Sequence, residues 1–143
     1  MLVMKFGGSS VKDATAVNRV ADIISARLAE HPVIVVSALG RTTDMLEAIL
    51  ADLEAGRADG ARGRVEAIRA HHRDVASSVI AADDHRRSAL DSMEETMTRL
   101  DRLVEGMELL GEVSDRSRDA VLSVGELASA PMLAAALRSR GLD

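Results

Sequence analysis

The first eleven residues, Met1-Leu2-Val3-Met4-Lys5-Phe6-Gly7-Gly8-Ser9-Ser10-Val11, restrict the fold more than any other stretch. Leu2 to Phe6 reads as a short buried strand, continuously apolar apart from Lys5 rather than alternating. Gly7 to Ser10 is a turn, and a helical pattern begins straight after it. Backbone N–H groups in a Gly-rich turn at a helix N-terminus gather anions, and Lys5 adds a positive charge beside them. The opening therefore predicts a strand–turn–helix unit with a phosphate-handling end. No Walker A pattern occurs and no G-x-G-x-x-G follows a strand, which argues against a P-loop NTPase and against a dinucleotide site.

The periodicity predicts a first helix from about Asp13 to Glu30, with Val17, Val20, Ala21, Ile24 and Leu28 on one face and His31-Pro32 as its stop. Val33 to Val36 is a second buried strand, β-branched throughout. A right-handed crossover makes the two strands parallel. Both then open onto polar loops at one sheet edge, where open α/β sheets hold ligands. The second loop, Ser37-Ala38-Leu39-Gly40-Arg41-Thr42-Thr43-Asp44, leads into a helix from about Asp44 to Glu54, with Thr42 and Thr43 as candidate caps.

Gly56 to Gly63 reads as a break. Helices over roughly Arg64–Ala81 and His85–Leu110 follow, joined by Asp83-Asp84 as turn and N-cap. Their stripes, Val65, Ile68, His72, Val75 and Val79 on one and Leu90, Met93, Met97, Leu100, Val104 and Met107 on the other, predict a helical hairpin with coiled-coil-like packing. His71 and His72 are adjacent and so face different ways, which disfavours a metal site; His72 is expected to fill a polar niche in the seam. A last helix starts near Asp115, Pro131 predicts a kink or restart, and Gly141 suits a C′ position. Two parallel strands leave the sheet short of the usual cover on both faces, so the expectation is the N-terminal part of a larger α/β unit, or a sheet completed by a partner.

Composition narrows the function classes. One aromatic residue, Phe6, leaves an aliphatic core, and a net charge of −5 argues against a nucleic-acid protein. The absence of cysteine removes disulfides and thiolate metal sites. No apolar run reads as long enough to span a bilayer, and Lys5 interrupts any signal-like start, so a soluble cytoplasmic protein is the expectation.

Three segments carry a resemblance. Lys5-Phe6-Gly7-Gly8-Ser9-Ser10-Val11 resembles the Lys-Phe-Gly-Gly-Thr-Ser-Val signature of aspartate kinases, with Ser9 where Thr is usual. Val35-Val36-Ser37-Ala38-Leu39-Gly40-Arg41-Thr42-Thr43-Asp44 is similar to that family's second loop, and Ser123-Val124-Gly125-Glu126-Leu127-Ala128-Ser129 to its Ser-x-Gly-Glu-x-x-Ser motif. The resemblance implies an α/β domain of the amino-acid-kinase fold, a mostly parallel sheet between helical layers, here a partial one with a long helical hairpin inserted at about 64–110. It implies that residues 1–143 form the N-terminal portion of the catalytic domain, without the nucleotide-binding half or the ACT regulatory modules.

The activity so implied is transfer of the ATP γ-phosphoryl group to the β-carboxylate of L-aspartate, giving 4-phospho-L-aspartate for lysine, threonine and methionine synthesis, with Mg2+ accompanying ATP in the complete enzyme. Lys5 would be the catalytic residue, stabilising charge on the transferring group, and Gly7, Gly8 and Ser9 would bind the phosphate. Ser37 and Ala38 would line the acceptor pocket, Thr43 would hold a substrate carboxylate and Glu126 the α-ammonium. No metal ligand is implied among these residues. The expected partners are L-aspartate and ATP, together with a homo-oligomer or a complementing C-terminal half, and neither nucleic acid nor membrane. Two alternatives stay open: a kinase of the same fold with another acceptor, and a non-catalytic binding or oligomerisation module.

Overall fold

β1 (Val3–Phe6) and β2 (Val33–Val36) pair in parallel, Val3 beside Val33 and Phe6 beside Val36, in the computed structural model, which describes residues 1–142. Strand residues alternate between faces. Met4, Phe6, Ile34 and Val36 point into the core, while Val3, Lys5, Val33 and Val35 point the other way and are exposed. The strands are thus apolar on both faces, as the sequence implies, but the described residues cover only one of them. Val3 and Val33 keep 54% and 50% of their surface exposed.

A single 3₁₀ turn (Gly8–Val11) links β1 to helix α1 (Ala14–Arg27). Asp13 caps α1 by accepting the Ala16 N–H on its Oδ1 at 2.8 Å. α1 buries Val17, Val20, Ala21 and Ile24 in a helical stripe. A second 3₁₀ turn (Leu28–Glu30) and His31, at φ +50°, bring the chain back to β2.

Helix α2 (Thr42–Glu54) ends on Gly56, at φ +71°. There the Gly56 and Arg57 N–H groups return to the carbonyls of Leu53 and Asp52, the Schellman closure that a left-handed glycine permits. Helix α3 starts at once and runs Ala58–Val79. The expected break over Gly56–Gly63 therefore shrinks to its first two residues. Gly60 and Gly63 lie inside α3, because Ala61 extends the Val65–Ile68 stripe by a turn and is fully buried. Gly60 also has a packing reason. A Cβ there would stand 2.9 Å from Oδ2 of Asp52, a buried carboxylate held by Arg57 at 2.8 Å and by Arg64 at 2.8 Å.

Helix α4 (Asp83–Leu110) antiparallels α3, completing the expected hairpin. Asp83 and Asp84 do not cap it; they occupy its first turn, where acidic groups favour the helix dipole. The connection is tied instead by Ser139, whose Oγ accepts the Ala81 and Ala82 N–H groups at 3.1 Å each. The hairpin is no protruding insertion, for α3 packs on α2 and α4 on α6. α5 (Asp115–Leu122) and α6 (Val124–Arg138) meet at Ser123. The expected restart near Pro131 does not occur. Pro131 sits on the exposed side of α6, and its neighbours Ala128, Met132 and Leu133 anchor the opposite side in the core. Gly141, at φ +76°, closes the end of α6 as expected, with Gly141 N–H donating to Arg138 O and Leu142 N–H to Leu137 O.

The buried side chains form two clusters. One joins the sheet to α1 and α6 through Val17, Val20, Ile24, Leu39, Ile80 and Leu133. The other fills the bundle of α2, α3, α4 and α5 through Leu46, Ile49, Ile68, Met97, Leu100 and Val121. Residues 115–138 taken together are long and apolar enough to cross a membrane, contrary to the reading from sequence. Half of that window is buried within the fold, as in a core helix.

Candidate functional site

Three segments converge at the carboxyl edge of the sheet. The Ser37 N–H donates to Phe6 O at 2.9 Å, carrying the β-ladder one residue past β2. Beyond that point the two loops touch. A Cβ on Gly8 would lie 2.8 Å from Gly40 O and 3.1 Å from Ala38 O, so only glycine lets the first turn lie this close to the second loop. Gly40 takes φ +56°, and its α-carbon faces the Lys12 backbone, where an added Cβ would stand 3.3 Å from Lys12 O.

The second loop is less polar inside than its composition implies. Ala38 and Leu39 are buried, and Leu39 belongs to the sheet-side core. Thr42 is buried as well; its Oγ1 donates to Leu39 O at 2.6 Å, and its N–H shares the same acceptor at 3.0 Å. Neither threonine caps α2 through its side chain. The helix starts at Thr42 itself, and Arg41 precedes it with its guanidinium on Asp44 at 2.9 Å.

The third segment arrives from the far end of the sequence. Gly125, in the first turn of α6, faces Ala38 so closely that a Cβ would meet the Ala38 Cβ at 2.6 Å and Thr42 Cγ2 at 3.5 Å. One turn later the Ser129 hydroxyl donates to Ser37 O at 2.8 Å. Turn, loop and helix start thus form one interlocked unit in which glycine appears at each crossing.

Lys5 emerges on the uncovered face of β1, beside Val35. Gly7 and Gly8 are half-buried in the turn, and Ser9 is exposed. Ser37 is half-buried and Ala38 buried, while Thr43 and Glu126 are exposed on the first turns of α2 and α6. The structure brings Gly8 and Ala38 together directly, and Gly125 brings the segment bearing Glu126 to them. Lys5, Lys12, Arg19 and Glu126 enter none of the ion pairs among the described residues. A groove of about 530 Å³ beside the first turn is lined by Ser9, Ser10, Lys12 and Arg19, so hydroxyls and cations cluster next to the glycines.

Sequence reasoning missed Thr42, Lys12 and the contacts of Gly125 and Ser129 as structural parts of this edge. The adjacency of Thr42 and Thr43 held a signal for the first, because neighbouring helical positions face differently and only one of the pair can turn to solvent.

A parallel βαβ unit whose loops gather at the carboxyl edge of its sheet is the architecture of an α/β domain that holds ligands at that edge. Residues 1–143 match the model of the amino acid kinase family, and the chain belongs to that family. Among similar proteins, aspartokinase 2 of Arabidopsis thaliana chloroplasts is 33% identical over 153 residues, covering 97% of this chain and 25% of its own length. A bifunctional aspartokinase/homoserine dehydrogenase of the same organism is 30% identical over 99% of this chain and 15% of its own length. E. coli aspartokinase III, solved with aspartate and ADP, superposes over 99% of this chain and 29% of its own, with a TM-score of 0.80 and 26% identity. Its form with lysine and aspartate gives a TM-score of 0.82 at 26% identity, over 100% of this chain and 30% of its own. The α/β topology with its hairpin is therefore the start of an aspartokinase-like fold, and the chain spans about a quarter of the length of the monofunctional relative.

Proposed function

We propose that this chain supplies the acceptor site and the phosphoryl-stabilising lysine of an aspartate kinase, which transfers the ATP γ-phosphoryl group to the β-carboxylate of L-aspartate. The observation that carries the reading is the interlock of Gly8, Ala38 and Gly125, which sets the first turn, the second loop and the start of α6 side by side.

Phosphoryl transfer depends on positioning and on stabilising charge over the moving group. Lys5 offers a cation, unpaired among the described residues, near the end of β1. The Gly7-Gly8 turn offers backbone N–H groups, and Ser9 a hydroxyl. The acceptor carboxylate is ionised at neutral pH, so the reaction needs no general base, which agrees with a sheet edge free of histidine. L-aspartate carries an ammonium and a carboxylate at one end. Glu126 on α6 suits the first and Thr43 on α2 the second, with Ser37 and Ala38 lining the space between. ATP enters as a substrate with its Mg2+, and the cations and hydroxyls beside the first turn suit its terminal phosphates.

We assign residues 1–143 to the N-terminal portion of the catalytic domain, with the nucleotide-binding half and the ACT regulatory modules supplied by further polypeptide. The coverage of 15% to 25% of the curated relatives' lengths and the uncovered sheet face support this. A cytoplasmic setting, a place in lysine, threonine and methionine synthesis and assembly as a homo-oligomer belong to the same proposal.

The test is formation of 4-phospho-L-aspartate, trapped as its hydroxamate, by this sequence joined to a relative's remaining domains. Lys5→Ala is expected to lower kcat roughly 10²–10³-fold, the loss of one group that stabilises transition-state charge. Undiminished turnover in that variant would sink the role given to Lys5. Comparison of aspartate with glutamate, acetylglutamate, carbamate and UMP as acceptors separates the aspartate reading from a kinase of the same fold with another substrate.

A further inference from the structure

Ser129 is almost fully buried in the interior of α6, with 1% of its surface exposed. A serine there is worse for the helix than alanine, because its hydroxyl competes with backbone bonding. Its proton has two carbonyls in reach, Ser37 O at 2.8 Å and Glu126 O, in its own helix, at 3.4 Å. The shorter contact takes it, so the bond is tertiary and crosses 92 residues of sequence. No other donor reaches Ser37 O among the described residues.

Gly125 lies one turn before Ser129 on the same face of α6 and presses on Ala38. α6 therefore grips the Ser37-Ala38 segment at two points, a van der Waals contact and a hydrogen bond. Glu126 follows directly on the first of these points. On the loop side, Thr42 is pinned to Leu39 O and touches the Gly125 position, and Thr43 is the next residue.

We propose that Ser129 is a positioning residue: its bond to Ser37 O fixes the spacing between the Thr43 side of the acceptor site, which takes carboxylate, and the Glu126 side, which takes ammonium. The inference rests on the aspartate reading given above. Discrimination for an amino dicarboxylic acid over one without the amine then depends on Ser129, although the side chain touches neither ligand.

The test is calorimetric titration of this sequence, joined to a relative's remaining domains as above, with L-aspartate and with succinate, which lacks the ammonium. Ser129→Ala is expected to weaken aspartate binding roughly tenfold, the equivalent of one hydrogen bond, and to leave succinate binding near that of the wild type. In a Glu126→Gln background the same substitution is expected to cost nothing further, because the group it aligns is gone. Ser123→Ala, which removes a hydroxyl bonded only to Ala120 O in its own helical turn, serves as the control and is expected to change neither affinity. Should Ser129→Ala fail to fold, Ser129→Cys, similar in size and a weaker donor, carries the test with a smaller loss in the same direction. If the wild-type chain prefers aspartate and the Ser129 variants keep that preference, or if both ligands weaken together, the positioning role is overturned alone. If the wild-type chain shows no preference for aspartate over succinate, the aspartate reading falls and takes the inference with it.

Discussion

His72 and Asp52 show how single residues set the pH range of the fold. His72 is buried in α3; its Nδ1 lies 2.9 Å from Ile68 O, and its Nε2 has no partner. With Ile68 O as acceptor, Nδ1 carries the proton and Nε2 is left as a bare lone pair in the core. Burial pushes the ring below its ordinary value of 6.5, an effect larger than the opposing bond to Ile68 O. The unfolded chain takes up a proton near pH 6.5 and the folded one refuses it, so stability is complete above that pH and declines as the pH falls below it. His72→Leu is expected to flatten this decline in urea titrations run from pH 7.5 to 5; an unchanged slope would show that another group is responsible. Asp52 acts lower on the scale. Hydrogen bonds from Arg64 and Arg57 hold its carboxyl below the ordinary 3.8. Its contribution is present above that pH and is lost as the pH falls towards the depressed native value. Asp52→Asn is therefore expected to lower Tm at neutral pH and to narrow the gap to wild type below pH 3. The burial of His72 was legible from its place in the α3 stripe, but the expected polar niche is not met, since only Ile68 O of its own helix reaches the ring and Nε2 has no partner. The Asp52 pairing was not legible, because its partners lie across a turn that the glycines made look like a longer break.

At the scale of elements, the sequence placed both strands and the hairpin correctly and misplaced several ends. Periodicity survives in a window of many residues, whereas an end depends on one or two contacts. α3 begins six residues earlier than Arg64, the position that Gly60 and Gly63 suggested, because Ala61 reaches the core and Asp52 takes the space beside Gly60. α6 passes through Pro131 because one face is anchored while the proline faces outward. The missing N–H leaves Leu127 O without its helical donor, and Leu127 is exposed, so water can serve that carbonyl. Pro131→Ala restores the bond and relieves the ring's clash, and is expected to stabilise the chain by roughly 3 kcal/mol at most. Thermal and urea denaturation read this directly, and a loss of stability would mean that the proline shapes a bend the packing requires. The motifs at the candidate site were legible as segments. Their interlock was not, since it rests on missing β-carbons at Gly8 and Gly125 whose neighbours lie far away in sequence.

For the whole molecule, the incomplete cover expected of a two-stranded parallel sheet falls on one face alone. Both strands read as buried, but Val3, Val33 and Val35 meet solvent on the face that also carries Lys5. Apolar surface of this kind favours association. The chain by itself is expected to self-associate at high concentration, and Val33→Thr with Val35→Thr to reduce this while leaving the helical circular dichroism unchanged. Sedimentation velocity measures the first and far-ultraviolet spectra the second. A wild-type chain that stays monomeric would show that this face is tolerated bare.

The division of the interior into two clusters has a consequence for how the chain opens. Among the described residues Leu90, on α4, is the side chain that belongs to both. The sheet-side cluster depends on pairing between strands thirty residues apart and takes in the end of α3 through Val75 and Val79, whereas the other cluster is built largely from α2 and the middle of the α3–α4 hairpin, which follow one another in sequence. Pairing between distant segments carries a larger loop-closure cost than local contacts, and a protein opens in units of unequal stability. Hydrogen exchange should accordingly divide into two tiers, with the amides of β1, β2 and α1 exchanging through a partial opening and those around Val65 and Ile68 of α3 and Met93, Met97, Leu100 and Val104 of α4 only through global unfolding. The loops at the sheet edge sit on the looser tier. Leu90 is the hinge of that division, and shortening it would loosen the coupling between the two regions more than it lowers the stability of either.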